Sequence, residues 1–250
     1  MKCIVALKQI PDLQQLRIRN REPVLNDIPY TLGAIDKNAL ELGVQLKEEL
    51  DWEVVVISAG NEELEDTIKE ALAGGADNSF LLIDNQIDQM DSAEIASLLA
   101  EMIRRSEDIG LAIFGEGSGD NYTGQVGSRV AEILGWPQAG YATSVSVDGS
   151  TAKVTRALDD CIEEVELDLP AVIIVSAGLN TPRIPSVMQI LKAGKLPKEI
   201  ITLDDLSLVS SANQIETVSN LAPIAERKQI KIGSVDELLN CLESAGVERR

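Results

Sequence analysis

The 250-residue chain sets 22 Lys and Arg against 41 Asp and Glu, a formal charge of −19, with 44% apolar residues and no histidine. That charge argues against nucleic acid or an anionic lipid surface as a partner, and no apolar run approaches the roughly 20 residues of a membrane span. Without histidine there is no Ser-His-Asp triad, histidine base, haem histidine ligand or histidine-bearing zinc site.

The three cysteines, Cys3, Cys161 and Cys241, lie far apart and form no C-x-x-C, so the sequence encodes neither a disulfide framework nor an iron–sulfur cluster. The apolar stretch from Cys3 to Leu7 is too short for a secretory signal, and a cytoplasmic location is expected. Aromatic residues at 3% leave no base-stacking surface.

Lys2–Lys8 reads as a strand. Residues 9–35 are polar, broken by Pro11, Pro23 and Pro29, and read as irregular. Asp36 is expected to cap a helix over 37–50, where Ala39, Leu42, Leu46 and Leu50 share a face. Glu53–Ser58 is a continuous apolar run of the buried parallel type. Glu62, Glu63, Glu65 and Asp66 crowd the first turn of the next helix, which Gly74-Gly75 ends. Ser79–Ile83 is a third strand, Asp91 to Glu94 starts a helix over 92–105, and Leu111–Phe114 is a fourth strand. A helix follows over roughly 124–134. From residue 140 the pattern turns to β, at 140–147, 151–157 and 161–167, then at Ala171–Ser176, with a short helix at 186–193. Residues 204–224 look like an exposed arm, and Ser234–Ala245 like a final helix.

Four βα units before residue 135 predict an α/β fold, a doubly wound and mainly parallel sheet with helices on both faces. An antiparallel hairpin region and a C-terminal arm are added to it. In such a sheet ligands bind beyond the carboxyl ends of the strands. Lys8 and Gln9 follow the first strand, Ala59-Gly60-Asn61 the second, and Gly115 to Gln125 the fourth. In the last run small residues let a ligand approach the backbone, Thr123 and Gln125 offer polar groups, and Asp120 offers an acceptor for a ribose hydroxyl. The run is neither G-x-G-x-x-G nor a P-loop, and it is equally compatible with a plain strand-to-helix turn. The acidic run from Asp159 to Glu166 reads as a solvated hairpin face. Lys192, Lys195 and Lys198 read either as a helix C-terminus or as a patch beside a docking surface. No catalytic machinery is visible, so any chemistry belongs to a cofactor.

Several blocks then resemble one family. Lys2–Lys8 with Gln9-Ile10-Pro11-Asp12 is similar to the "VAVKQVPD" opening of electron transfer flavoprotein β subunits. Thr67 to Asp77 is similar to their "T-x-R-x-A-L-A-M-G-A-D", Gly135-Trp136-Pro137-Gln138 to "GWPQ", Leu169-Pro170-Ala171-Val172 to "LPAV" and Leu179 to Arg183 to "LNEPR".

The resemblance implies a Rossmann-like, adenine-nucleotide-binding domain over 1–203. It also implies an extended arm and C-terminal helix over 204–250 that pack on an α subunit. It implies a heterodimeric electron carrier rather than an enzyme. FAD is shared with the α subunit, AMP sits in the β subunit, and an acyl-CoA dehydrogenase or reductase is the redox partner. In electron-bifurcating relatives a second FAD, reduced by NADH, takes the place of AMP.

By the same resemblance the nucleotide contacts fall on Ala6, on Gly33, Ala34, Ile35 and Asp36, on Ala59, and on Gly115, Glu116, Gly117, Ser118, Gly119, Asp120, Asn121, Tyr122, Thr123, Gly124, Gln125 and Val126. A partner-docking segment falls on about 175–197, with Arg183, Val187, Leu191 and Lys192 as its contacts. The chain departs from the common pattern at Leu13, where many members have a Tyr near the flavin, and at Gly33-Ala34-Ile35, where they have N-P-F. Thr123 to Gly127 resembles the "T-A-Q-V-G" of bifurcating members, while the whole loop GEGSGDNYTGQVG and the run NTPRIPS resemble the branch tied to carnitine or crotonobetaine reduction. AMP and a second FAD both stay open on these residues. The remote alternative is a stand-alone nucleotide-binding regulatory protein.

Overall fold

In the computed structural model the apolar runs pair into one nine-stranded sheet, and the described residues are 1–206, 215, 217–224 and 229–247. The chain opens with β1 (Lys2–Ala6), then four three-residue strands, β2 (Gln9–Pro11), β3 (Arg17–Arg19), β4 (Glu22–Val24) and β5 (Tyr30–Leu32). It continues through α1 (Ala34–Leu50), β6 (Glu53–Gly60), α2 (Leu64–Ala73), β7 (Asn78–Ile83), α3 (Ser92–Arg104), β8 (Ile109–Gly115) and α4 (Val126–Leu134). The later part holds β9 (Gln138–Asp148), β10 (Thr151–Ala157), β11 (Ile162–Asp168), β12 (Ala171–Val175), α5 (Val187–Ala193), β13 (Lys198–Ile201) and α6 (Val235–Ser244).

The sheet order is β11-β10-β9-β12-β8-β1-β6-β7-β13. All neighbours from β9 to β13 are parallel, and β10 runs antiparallel to β9 and β11. The chain winds outward from β1 through β6 to β7, then returns to the other side of β1 with β8. The winding direction therefore reverses between β1 and β8, and the carboxyl ends at such a reversal are where sheets of this kind bind ligands. This is the doubly wound, mainly parallel architecture expected from the sequence.

Successive residues of each central strand enter opposite cores, as a period of two requires. Val5, Val54, Val56, Ile113 and Ile173 pack with α1 and α2 on one face. Ile4, Val55, Ile57, Ala112, Phe114 and Ile174 pack with α3 and α4 on the other. Fully buried side chains such as Ile113 and Ile173 each contribute about 2 kcal/mol of apolar transfer. Helix α1 lies close on the sheet because residue 43 is glycine, where an added Cβ would stand 2.8 Å from Val5 Cγ2. Helix α3 begins with the expected capping box between Asp91 and Glu94, a feature worth about 1 kcal/mol.

Two expectations are corrected. Asp36 does not cap α1: Gly33 is the N-cap, and Asp36 is a buried member of the first turn. Residues 9–35 are not wholly irregular, since β2 pairs with β5 and β3 with β4 in two small sheets. Strand β13 was not expected at all. It adds to the β7 edge with Ile201 opposite Leu82.

The chain divides into two compact units. One comprises residues 1–17 and 25–218, and the other residues 18–24 and 219–250. In the second unit Arg21 Nε donates to the Ala222 carbonyl at 2.8 Å, and the Ala222 N–H donates to the Arg21 carbonyl at 2.7 Å. The expected final helix is present as α6, capped by Ser234, whose hydroxyl accepts from the Glu237 N–H at 3.2 Å. The expected arm over 204–224 falls partly outside the described residues. Among the described residues no helix is long and apolar enough to cross a membrane.

Candidate functional site at the carboxyl edge of the sheet

Strands β1 and β8 run side by side, Val5 opposite Ile113, and the chain leaves β1 through Leu7 and Lys8. The Lys8 N–H donates to Asp36 Oδ2 at 2.7 Å, which ties the end of β1 to the first turn of α1. The end of β8 is shaped to the same carboxylate: a Cβ on Gly115 would meet Asp36 Oδ1 at 2.7 Å, and one on Gly33 would meet Asp36 Oδ2 at 3.1 Å. Two glycines thus give a buried carboxyl its room. Burial pushes the Asp36 carboxyl up to about 7, with the N–H and charge of Lys8 pulling it down and the charge of Asp120 pushing it up.

The Lys8 side chain crosses to the loop after β8. Its ammonium lies 2.5 Å from Asp120 Oδ2, 3.4 Å from Ser118 Oγ and 3.5 Å from Asn121 Oδ1. Burial opposes ionisation of Asp120, yet hydrogen bonds from Lys8 and Ser118 outweigh it and hold the carboxyl below its usual range. One residue therefore holds two carboxylates on separate segments, Asp36 through its backbone N–H and Asp120 through its ammonium, 28 and 112 residues away from it in sequence.

The rest of the loop is braced from within. Tyr122 adopts a left-handed backbone, φ 43°, and its hydroxyl donates to Glu116 Oε1 at 2.9 Å. Its ring lies over Gly117, where a Cβ would come within 2.8 Å of it, and Leu13 lies 3.0 Å from the Cβ position of Gly119. The space that Gly117 and Gly119 leave is thus taken by the protein's own side chains. Gly124 has φ 65°, and Gln125, the N-cap of α4, accepts from Ser92 Oγ at 3.2 Å and from Arg129 Nε at 3.1 Å. Thr123 is exposed beside them, and Val126 begins α4.

The structure brings the expected residues to one edge. Ala6 ends β1, Ala59 lies near the end of β6, Gly33 to Asp36 open α1, and Gly115 to Val126 run from β8 into α4. The polar set suits a nucleotide: an ammonium for phosphate, the Asp120 carboxylate for a hydroxyl, and half-buried Ser118 with exposed Asn121 and Thr123 around them. Sequence reasoning passed over Lys8 as a site residue. Its signal was its place directly after the first strand, at the edge where such sheets bind ligands.

The second expected region lies on another part of α1. The Asn38 side chain donates to the Asn180 carbonyl at 2.8 Å, and the Asn180 side chain donates to the Asn38 carbonyl at 3.0 Å. Arg183, expected as a docking contact, is tied to α1. Its Nε and Nη2 reach Glu41 at 2.8 and 3.0 Å, and its Nη1 reaches Glu48 at 2.7 Å. Burial opposes ionisation of Glu41, but the Arg183 hydrogen bonds and charge outweigh it and hold this carboxyl low. Beyond that clamp, Ile184, Val187, Met188 and Leu191 are 94, 73, 63 and 67% exposed, an apolar ridge flanked by Lys192.

Comparison with known proteins adds three findings. Residues 24–206 match the family described as the electron transfer flavoprotein domain. The electron transfer flavoprotein subunit beta of Thermoanaerobacterium thermosaccharolyticum is 32% identical over 251 residues, covering 97% of this chain and 96% of that protein. The subunit of the same name from Clostridium acetobutylicum is 37% identical over 215 residues, covering 85% of this chain and 82% of that protein.

Proposed function

The chain belongs to the electron transfer flavoprotein family as a β-type subunit, and we propose that it works in a heterodimer with an α subunit. In that role it passes electrons between a soluble acyl-CoA dehydrogenase or reductase and another redox carrier. FAD, shared with the α subunit, supplies the redox chemistry. No side chain of this chain does covalent chemistry, so it is a carrier subunit rather than an enzyme, and its expected location is the cytoplasm.

The observation that carries the nucleotide part of this reading is the Lys8–Asp36–Asp120 cluster at the point where the sheet reverses its winding. We assign AMP to this edge. Lys8 and the Gly115–Val126 loop face its phosphate, and Asp120 takes a ribose hydroxyl. Arg183 holds the ridge of Ile184, Val187, Met188 and Leu191 for the dehydrogenase, and the exposed Val235, Leu238 and Leu242 of α6 suit the α-subunit interface. The loop and the run NTPRIPS favour the branch tied to carnitine or crotonobetaine reduction.

A second reading rests on Thr123 to Gly127: a bifurcating variant in which the same edge holds a second FAD reduced by NADH. Co-expression with the α subunit tests both. The first reading expects a yellow heterodimer whose flavin is not bleached by NADH under anaerobic conditions. Bleaching by NADH transfers support to the second reading. A heterodimer that carries no flavin and takes none up contradicts both.

A further inference from the structure

Lys8 is shared by two carboxylates that belong to different segments, and this sharing has a chemical consequence for the nucleotide edge. Its backbone N–H holds Asp36 while its ammonium holds Asp120, Ser118 and Asn121. Asp36 is buried and pinned between Gly33 and Gly115, so it cannot turn away to water. The charged groups that face it are Lys8 from the end of β1 and Asp120 from the loop after β8. Its neighbour on α1, Lys37, turns instead to Glu70 at 2.7 Å.

We propose that nucleotide binding at this edge is proton-linked: a phosphate draws the Lys8 ammonium away from Asp120, and the Asp36 carboxyl takes up one proton from solvent. Before binding, one ammonium offsets two carboxylates. Once a phosphate dianion competes for that ammonium, two carboxylates and the phosphate share one edge with a single cation. Protonation of the more deeply buried carboxyl is the least costly relief. Asp36 titrates near pH 7 before the nucleotide arrives. Added negative charge moves it higher, so binding consumes a proton and weakens as pH rises.

The inference rests on the nucleotide reading above, and calorimetry separates the two. The heterodimer keeps its α-side FAD but is depleted of the β-side nucleotide, then titrated with AMP at pH 7.0 to 8.5. Paired buffers of different ionisation enthalpy count the protons. In this range the phosphate is already largely dianionic and adds little of its own. The expected result is an uptake approaching one proton per AMP at pH 8, with affinity about fivefold weaker at pH 8 than at pH 7. In Asp36→Asn the uptake disappears and the affinity becomes flat with pH. Titration with FAD covers the case of a second flavin.

Proton-neutral binding, or equal uptake in Asp36→Asn, overturns the linkage and leaves the nucleotide site standing. Binding of neither AMP nor FAD overturns both. If the Asn variant does not fold, the wild-type profile decides, and a flat one overturns the proposal.

Discussion

At pH 8 the Asp36→Asn chain is expected to be more stable than the wild type, by on the order of 4 kcal/mol. The reason is the distance between the ordinary carboxyl value of 3.8 and the value of about 7 that burial imposes on Asp36 in the fold. A carboxyl raised in the native state favours folding fully below pH 3.8. That contribution is lost as pH rises to about 7, because the unfolded chain ionises freely while the folded one pays desolvation. The amide keeps an acceptor for the Lys8 N–H and carries no charge. Urea titrations should therefore show the two chains converging near pH 4 and separating up to pH 8. Equal stability at pH 8 contradicts the account. A carboxyl that lowers stability at the edge where ligands bind is what a functional site looks like energetically.

The next largest effect is expected at Arg183. Arg183→Met removes the guanidinium from Glu41 and Glu48 and leaves the Glu41 carboxylate, 6% exposed, without its cation. Loss of one partner from a fully buried pair costs about 3–5 kcal/mol, and an exposed pair is worth under about 1. Because the guanidinium is partly exposed, we expect about 2 kcal/mol. Glu41→Gln combined with Arg183→Met should cost clearly less than the sum of the two single changes. Hydrogen exchange should rise in residues 184–193, which the clamp holds to α1. Additive costs in the double-mutant cycle, or unchanged exchange, contradict it.

The parallel core was legible because continuous runs such as EVVVIS and AVIIV have few other places to go than a sheet covered on both faces. Helix α3 was legible from its box residues, Asp91 and Glu94. Short elements were not. β2 to β5 are three residues each and carry no period, and β13 follows Pro197 as a four-residue edge strand. Asp36 was misread as a cap because Asp ahead of an apolar helix usually is one. Here Gly33 takes that place, and the carboxyl turns inward to Lys8.

The loop after β8 was visible in the sequence as a run of small residues. Its cation was not, since the Lys8–Asp120 pair spans 112 positions and follows no spacing rule. The ion pair of Arg183 was equally hidden from the sequence, which reads this residue as a docking contact. Its commitment to Glu41, 142 residues away, exists only once β12 brings the segment beside α1.

The central claim, that the edge between β1 and β8 holds a nucleotide of its own, is tested most directly by counting. The heterdimer formed with the α subunit is purified, denatured in acid, and its released nucleotides are separated and quantified. The account predicts one FAD and one AMP per heterodimer, and two FAD without AMP would mean that the same edge holds a flavin. One FAD and no second nucleotide would contradict it.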